Sequence, residues 1–355
     1  MGLDELRAEI DQIDRELVDL LNRRARVSER VGQVKRAQAE PDQAIEIYQP
    51  DREAQVLQRV VAQSKGPLSE PALRAIYREI LSASRELQRR LRIGYLGPVA
   101  TFAFEAATRQ FGSSATLVPC RTIADVFLET QRRDVDYGVV PVENSTGGVV
   151  AHTLDQLLES DLQVCAQIKL PVSFTLASKG PLAGITRVYS HPQAFAQCRR
   201  WLAENLPGAT QLETASTAAA AEMAQDPESA AIATEAAAEL YGLPVLARRI
   251  EDVATNVTRF LVIGQHASGP TGRDQAAVVF GVNDRVGALQ DALRSLAENG
   301  INLTRIESRP SRRRIWEYVF FVDLDGHPED EAVARALVGL RASCSFVRVL
   351  GAWPA

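Results

Sequence analysis

Leu3, Leu6, Ile10, Ile13, Leu17 and Leu20 recur at alternating intervals of three and four, and Val27, Val31 and Val34 resume the series. This is the period of one helix with a single apolar seam, about thirty residues and about 45 Å long. A helix of that length cannot bury its stripe alone, so the seam predicts a dimer. Arg24 interrupts it, and a cation there costs several kcal/mol unless an anion or carboxylate meets it. On the helix circumference Lys35 falls about 20° from Arg24 and about 16 Å further along. Arg7 falls about 100° away and so suits a neighbouring protomer's site better than its own. Two shorter helices follow. Pro50 suits the first turn of one that carries Val56, Leu57, Val60 and Val61 and ends at Gly66. The other opens at Ser69, with Pro71, and carries Leu73, Ile76, Ile80, Leu87 and Leu91 on its inner face. Ser84 and Gln88, four residues apart, put polar groups on that same face. The pattern fits either a helical dimerisation hairpin, whose polar residues fix register, or the wall of an anion site.

After Arg89, Arg90 and Arg92 the period changes to short apolar runs alternating with helical stretches. Strands are predicted at 93–96, 116–119, 137–140 and 162–168, with helices at 123–131 and from Leu154, which is a doubly wound sheet. A second set begins near Val172: a strand at 187–189, a helix opened by His191-Pro192-Gln193-Ala194, an alanine-rich helix at 217–224 and a strand at 230–233 before Thr234. Two similar lobes with a cleft between them are implied, and the alanines indicate close helix packing. The densest chemistry lies at 139–150, where an apolar run ends at Pro141 and Glu143, Asn144, Ser145, Thr146 and two glycines precede Thr153. A loop at the carboxyl end of such a strand is where ligands usually sit, although an ordinary capped turn has the same pattern. Residues 264–274 read as a linker. Beyond it come a strand at 276–282, a helix at 287–299, strands at 301–308 and 317–324, a helix at 330–340 and a strand at 346–350. That βαββαβ order is a ferredoxin-like plan.

A chain of 355 residues, 46% hydrophobic and 24% charged, has the size of two or three globular domains. No apolar run approaches the roughly 18 residues of a membrane span, and the N-terminus is a charged helix rather than a signal peptide, so no membrane partner and a cytoplasmic location are expected. Cys120, Cys165, Cys198 and Cys344 and the four histidines are dispersed, which indicates neither a disulfide framework nor a metal site. A net charge of -5 argues against nucleic acid as a partner. Arg312, Arg313 and Arg314 read as the solvated face of a hairpin.

Residues 3–91 resemble the all-helical class of chorismate mutase, because Arg7, Arg24, Lys35, Arg52, Glu53, Ser84 and Gln88 fall where that family has site residues. Gln49 stands where some members have an acidic residue. Residues 92–268 resemble prephenate dehydratase through Gly-Pro-x-x-Thr-Phe at 97–102, Pro-x-Glu-Asn-Ser at 141–145, His-Pro-Gln at 191–193, Ser216-Thr217-Ala218 and Thr258-Arg259-Phe260. Ala100 replaces the family's usual glycine and Ala103 its usual hydroxyl residue. In residues 274–355, Gly287-Ala288-Leu289 and Glu307-Ser308-Arg309-Pro310 resemble the regulatory ACT domain. The resemblance implies an all-α mutase domain in an intertwined dimer, a two-lobed α/β dehydratase domain and an α+β ferredoxin-like regulatory domain. It implies conversion of chorismate to prephenate and of prephenate to phenylpyruvate, without a cofactor, in a homodimer or higher homo-oligomer.

By the same resemblance, Arg24 and a partner-supplied Arg7 clamp the chorismate carboxylates. Lys35 and Gln88 donate to the ether oxygen and Glu53 binds the hydroxyl, with Arg52 and Ser84 completing the set. In the second site Thr258 stands beside the leaving hydroxyl and Asn144 and Gln193 orient prephenate. Thr101, Glu143, Ser145, Arg259 and Phe260 line or support that site. Phenylalanine, as effector, is expected at Gly287, Ala288, Leu289, Asn302, Leu303, Glu307, Ser308, Arg309 and Pro310. Two rival readings remain: a non-catalytic sensor of aromatic acids, and an enzyme keeping one of the two activities.

Overall fold

The computed structural model describes residues 2–38, 46–310 and 318–355, so Arg312, Arg313 and Arg314 lie outside the described residues. Its contacts divide the chain into two units, Met1–Leu91 with Gln110–Thr116, and Arg92–Arg109 with Leu117–Ala355.

The first unit holds α1 (Leu3–Gln38), α2 (Pro50–Gln63) and α3 (Glu70–Glu86). At 36 residues α1 is about 54 Å long, because the helical pattern continues past Val34. Every predicted seam residue from Leu3 to Val34 is exposed, so this chain does not cover the stripe itself. Gly32 is the buried position of α1; a Cβ there would lie 2.8 Å from Cγ of Gln88, so only glycine permits that approach. Ser64, rather than Gly66, caps α2. The Ser69 side chain accepts the N–H of Ala72 at 3.4 Å and starts α3. The buried face of α3 differs from the predicted one: Leu81, Ser82 and Arg85 are covered, while Ile76 and Leu87 are exposed. Periodicity marks a stripe but does not say which neighbour covers it.

In the second unit the first lobe contains β1 (Arg92–Leu96), α4 (Phe102–Phe111), β2 (Thr116–Cys120), α5 (Ile123–Gln131), β3 (Tyr137–Asn144), β4 (Gly148–Val149), α6 (Ala151–Glu159) and β5 (Gln163–Pro171). The chain then builds the second lobe from β6 (Thr175–Ser178), β7 (Arg187–Ser190), α7 (Pro192–Gln197), α8 (Arg199–Asn205), β8 (Thr210–Glu213), α9 (Thr217–Met223), β9 (Ser229–Ala233), α10 (Glu235–Leu240) and β10 (Val245–Arg248). It returns to the first lobe as β11 (Val257–Gly264). The first sheet is mixed rather than doubly wound. β1 and β3 are parallel, but the returning β11 runs antiparallel to both β3 and β5. Pairing with β11 also carries β3 to Asn144, past the expected end at Val140, and α6 begins at Ala151 rather than Leu154. The second sheet has the order β10-β6-β9-β7-β8. Its alanines, among them Ala218, Ala221, Ala231, Ala233, Ala237 and Ala238, are fully buried, so the helices lie close on the strands as the sequence implied.

The last segment is β12 (Asp274–Val282), α11 (Ala288–Glu298), β13 (Leu303–Pro310), β14 (Tyr318–Asp325), α12 (Glu331–Ser343) and β15 (Cys344–Pro354), in strand order β13-β14-β12-β15. It is not a bead on a free linker. β15 adds to β5 through Gly351 opposite Val164. Gly351 has φ 142°, and a Cβ there would sit 2.1 Å from the Val164 carbonyl oxygen. Leu350, Trp353, Val279 and Phe321 share one core with Val140, Leu154 and Leu261. The expected linker is itself pinned, because the Asp274 carboxylate accepts the N–H groups of Thr271 and Gly272 at 2.8 and 3.0 Å, and Gln265 donates to the Thr130 carbonyl at 2.8 Å. Among the described residues no helix is long and apolar enough to cross a membrane.

Candidate active sites

In the helical unit Arg24 Nη1 donates to Ser84 Oγ, so the cation on the seam meets a hydroxyl rather than a carboxylate. Gln88 lies against Gly32, one turn before Lys35, and its Oε1 is buried with no hydrogen-bond partner among the described residues. Lys35 Nζ donates to the Glu46 carbonyl at 2.7 Å. Burial lowers the Lys35 pKa, against the opposing pull of the Glu46 charge. Glu53 is paired with Arg85, a residue the sequence reading did not single out, and Arg85 Nη2 also donates to the Phe111 carbonyl at 2.6 Å. Burial raises the Glu53 pKa; the Arg85 and Arg24 charges work the other way. The fold therefore brings Arg24, Ser84, Glu53 and Gln88 towards one place. It does not bring Arg7, which is exposed and pairs with Asp4 at 3.5 Å, and Arg52 is exposed as well.

Between the two lobes of the second unit lies a cavity of about 930 Å³ lined by residues of both, including Thr101, Phe102, Asn144, Phe174, His191, Gln193, Gln197, Ser216, Thr258 and Phe260. That is the size of a small-molecule pocket. Local structure aims the polar groups. Ala100 is buried with φ 63°, the left-handed backbone that the glycine-to-alanine departure left in question, and its carbonyl accepts from Thr234 Oγ1 at 2.8 Å. Thr101 Oγ1 donates to the Pro98 carbonyl at 3.0 Å. His191 Nδ1 accepts the Gln193 N–H at 3.2 Å and caps α7, whose Gln193 and Gln197, four residues apart, share the face on the cavity. Cys120 also lines it, and burial raises its pKa, which keeps the thiol uncharged.

Asn144 is the centre of the polar wall. Its Oδ1 accepts the N–H groups of Thr146 at 3.1 Å and Gly147 at 2.8 Å, and its Nδ2 donates to Thr258 Oγ1 at 2.8 Å. Gly147 lies against the end of the Gln193 side chain, where a Cβ would come within 2.2 Å of Nε2, so a side chain there would displace the Gln193 amide. Alternation along β3 turns Glu143 to the other face. Its carboxylate meets Arg259 Nη1 and Arg305 Nε, each at 3.1 Å, while Arg259 Nη2 reaches Asp323 at 2.6 Å. Ser145 Oγ accepts the Val257 N–H at 3.0 Å. Glu143, Ser145 and Arg259, expected as substrate contacts or supports, thus brace the strands and do not line the cavity. Sequence reasoning missed Gln197 and Asn256; the i to i+4 spacing from Gln193 and the two-residue strand spacing from Thr258 were the available signals.

In the last segment Gly287 has φ 82° and precedes α11, with Ala288 buried and Leu289 half-buried. Asn302 Nδ2 donates to Asp325 at 2.9 Å. On β13 Leu303, Glu307 and Arg309 are half-buried and alternate with exposed Ser308 and Pro310. Arg309 Nη2 is held by the Asp155 carboxylate at 3.0 and 3.2 Å.

A helical unit with converging cationic and polar side chains, a two-lobed α/β cleft with an amide and hydroxyl wall and a ferredoxin-like domain joined to its sheet define a multidomain, small-molecule enzyme. Comparison with known sequences fits that class part by part: the Chorismate mutase type II family matches residues 6–89, Prephenate dehydratase residues 93–268 and the ACT domain residues 276–342. A bifunctional chorismate mutase/prephenate dehydratase of Aquifex aeolicus is 46% identical over 358 residues, covering 99% of this chain and 98% of its own. The chain belongs to the bifunctional chorismate mutase/prephenate dehydratase family and is an enzyme with both catalytic domains. Among solved structures, a prephenate dehydratase of Arthrobacter aurescens in complex with L-Phe is 35% identical with TM-score 0.70, covering 75% of this chain and 90% of its own. A protein titled GqqA, a quorum quenching acylase, is 32% identical with TM-score 0.69, covering 74% and 98%. The shared fold thus carries differently named proteins, and the site must decide the chemistry.

Proposed function

We propose that the chain rearranges chorismate to prephenate in its helical part, residues 1–91, and converts prephenate to phenylpyruvate in the cleft of residues 92–268. Residues 274–355 then sense phenylalanine. The observation that carries the second assignment is the pairing of Asn144 Nδ2 with Thr258 Oγ1 on the wall of the cavity between the two lobes. Prephenate loses a ring carboxylate as carbon dioxide, the bonding pair enters the ring, and the ring C–O bond breaks. The departing hydroxyl takes one proton and leaves as water. Thr258 supplies a hydrogen bond to that oxygen and relays the proton, since a threonine is too weak an acid to own it. Gln193 and Asn144 orient the substrate.

The mutase step is unimolecular and needs no nucleophile; its catalysis is the clamping of a dianion in its compact conformer and donation to the breaking ether oxygen. Arg24, Lys35, Glu53, Ser84 and Gln88 supply that clamp from one chain, while Arg52, next to Glu53 in the chain, is exposed. Arg7 of a second copy completes it, docked through the exposed α1 seam in a homodimer or larger homo-oligomer. Support for this comes from nine seam side chains that are all exposed here and from the position of Arg7, about 100° round the helix from Arg24. A cytoplasmic location is part of the same reading. Phenylalanine inhibition is supported by the L-Phe complex of the Arthrobacter relative. The Asp323–Arg259 and Arg305–Glu143 ion pairs join the sensing sheet to both strands of the dehydratase wall. Feeding chorismate to the pure protein while following prephenate and phenylpyruvate together tests the whole reading; chorismate consumption without phenylpyruvate, or no turnover of either substrate, overturns it.

A further inference from the structure

Asn256, two residues before Thr258, is 2% exposed and carries no role in the mechanism above. Its side chain closes a ring of three amides. Asn144 Nδ2 donates to Asn256 Oδ1 at 2.8 Å, Asn256 Nδ2 donates to Gln197 Oε1 at 2.8 Å, and Gln197 Nε2 donates to Asn144 Oδ1 at 3.4 Å and to Thr146 Oγ1 at 2.7 Å. An amide can face either way round, and here the backbone decides. The N–H groups of Thr146 and Gly147 can only donate, so the Asn144 atom facing them is oxygen. Nδ2 is then left with two protons, which go to the two near acceptors, Asn256 Oδ1 and Thr258 Oγ1, each at 2.8 Å, rather than to the Val257 carbonyl at 3.4 Å.

The consequence falls on Thr258. Its oxygen accepts from Asn144, so its own proton cannot point at that nitrogen and is free for the cavity that the residue lines. Were Asn144 reversed, Thr258 would donate its proton to the amide oxygen and offer the substrate only a lone pair. We infer that Asn256 is a positioning residue for the dehydratase step: it holds the Asn144 amide in the one sense that makes the Thr258 hydroxyl a donor towards prephenate. This rests on the reading of Thr258 as the group beside the leaving hydroxyl.

The ring is uncharged. Asn144, Thr146, Gln197 and Thr258 do not titrate in the working range. The charged neighbours are Arg259, next along β11, and Asp252, whose N–H donates to the Gln197 carbonyl at 2.7 Å. A carboxyl at position 256 therefore brings a titration of its own. The protonated Asn256→Asp side chain keeps an acceptor for Asn144 and a donor for Gln197, whereas its ionised form sets oxygen against Gln197 Oε1.

The test uses the full chain, with mutase turnover in the same sample as a control for folding. Asn256→Leu is expected to lower the dehydratase kcat by about 10- to 100-fold, below the loss of a whole general acid, with the prephenate KM changed less than about threefold. Asn256→Asp is expected to recover activity at low pH and lose it as pH rises, a limb absent from the parent protein. Normal kcat in Asn256→Leu, a raised KM with kcat intact, or a parental pH profile in Asn256→Asp overturns the inference. Thr258→Ala separates the two failures. If it is inactive while the Asn256 variants are normal, only the positioning role falls; if it is active, the reading of Thr258 falls first.

Discussion

The helical unit and the two-lobed cleft are both built to hold anions, yet they finish their sites differently. In the cleft the centre of the polar wall is matched inside one chain: Asn144 serves Thr146, Gly147, Asn256 and Thr258 at once, and the cavity is lined by both of the chain's own lobes. In the helical unit Arg24 reaches Ser84 and Glu53 reaches Arg85, but the seam is uncovered and Arg7 is turned away. On the proposed reading, one site depends on folding and the other on folding followed by assembly. The difference comes from geometry, since a sheet with helices on both faces makes its own interior, whereas a single long helix makes only a stripe.

The largest effect expected is on the self-contained site. Thr258→Ala should slow phenylpyruvate formation by about 10²- to 10⁴-fold and leave mutase turnover untouched, so that prephenate accumulates from chorismate; equal loss of both activities would show that the two sites are not independent. Arg24→Ala makes the reciprocal case. Removing one charge of a carboxylate clamp costs about 2–5 kcal/mol of transition-state binding, so chorismate consumption should collapse while added prephenate is dehydrated normally. Leu17→Glu probes assembly alone. Each leucine lost from the proposed interface weakens a dimer by about 1.5–3 kcal/mol, and a homodimer loses two, so mutase activity should become dependent on protein concentration while dehydratase activity does not; light scattering against concentration, run beside both assays, checks it.

Phenylalanine should touch the cleft and spare the helices. A typical allosteric coupling of about 1–3 kcal/mol predicts dehydratase inhibition, weaker phenylalanine binding when prephenate is present by the same factor, and weaker binding in Glu307→Ala, all measurable by calorimetry. The smallest contrast is in pH. The ionised Glu53 carboxylate is the stronger acceptor for the substrate hydroxyl and the charged partner of Arg85, and its pKa is raised by burial, so mutase activity should fall as pH drops through a value above the usual carboxylate range. Lys35 must be charged, and its pKa is lowered by burial, so activity should also fall as pH rises through a value below that of an ordinary lysine. The acid limb should vanish in Glu53→Gln. The uncharged wall of Asn144, Gln193 and Thr258 gives the dehydratase no such pair of limbs.

The sequence by itself determined the elements and their order. The 3–4 spacing from Leu3 to Val34 became α1, the βαββαβ period became the last domain, and the separated motifs at 97–102, 141–145, 191–193 and 258–260 supplied residues to one cavity or to the strands around it. These are local properties, set by backbone periodicity, capping and turn chemistry. Tertiary structure decided which face each strand presents, and so moved Glu143 and Arg259 from the cavity to the ion pairs behind it while bringing Asn256 and Gln197, distant in sequence, onto Asn144. It decided that β11 returns antiparallel and that Gly351 lets the last strand join the first lobe. It also placed Arg85, not a substrate group, against Glu53. Such pairings join residues far apart along the chain, and no period or local motif encodes them; they exist only once strands and helices are packed and each buried polar atom must find a partner.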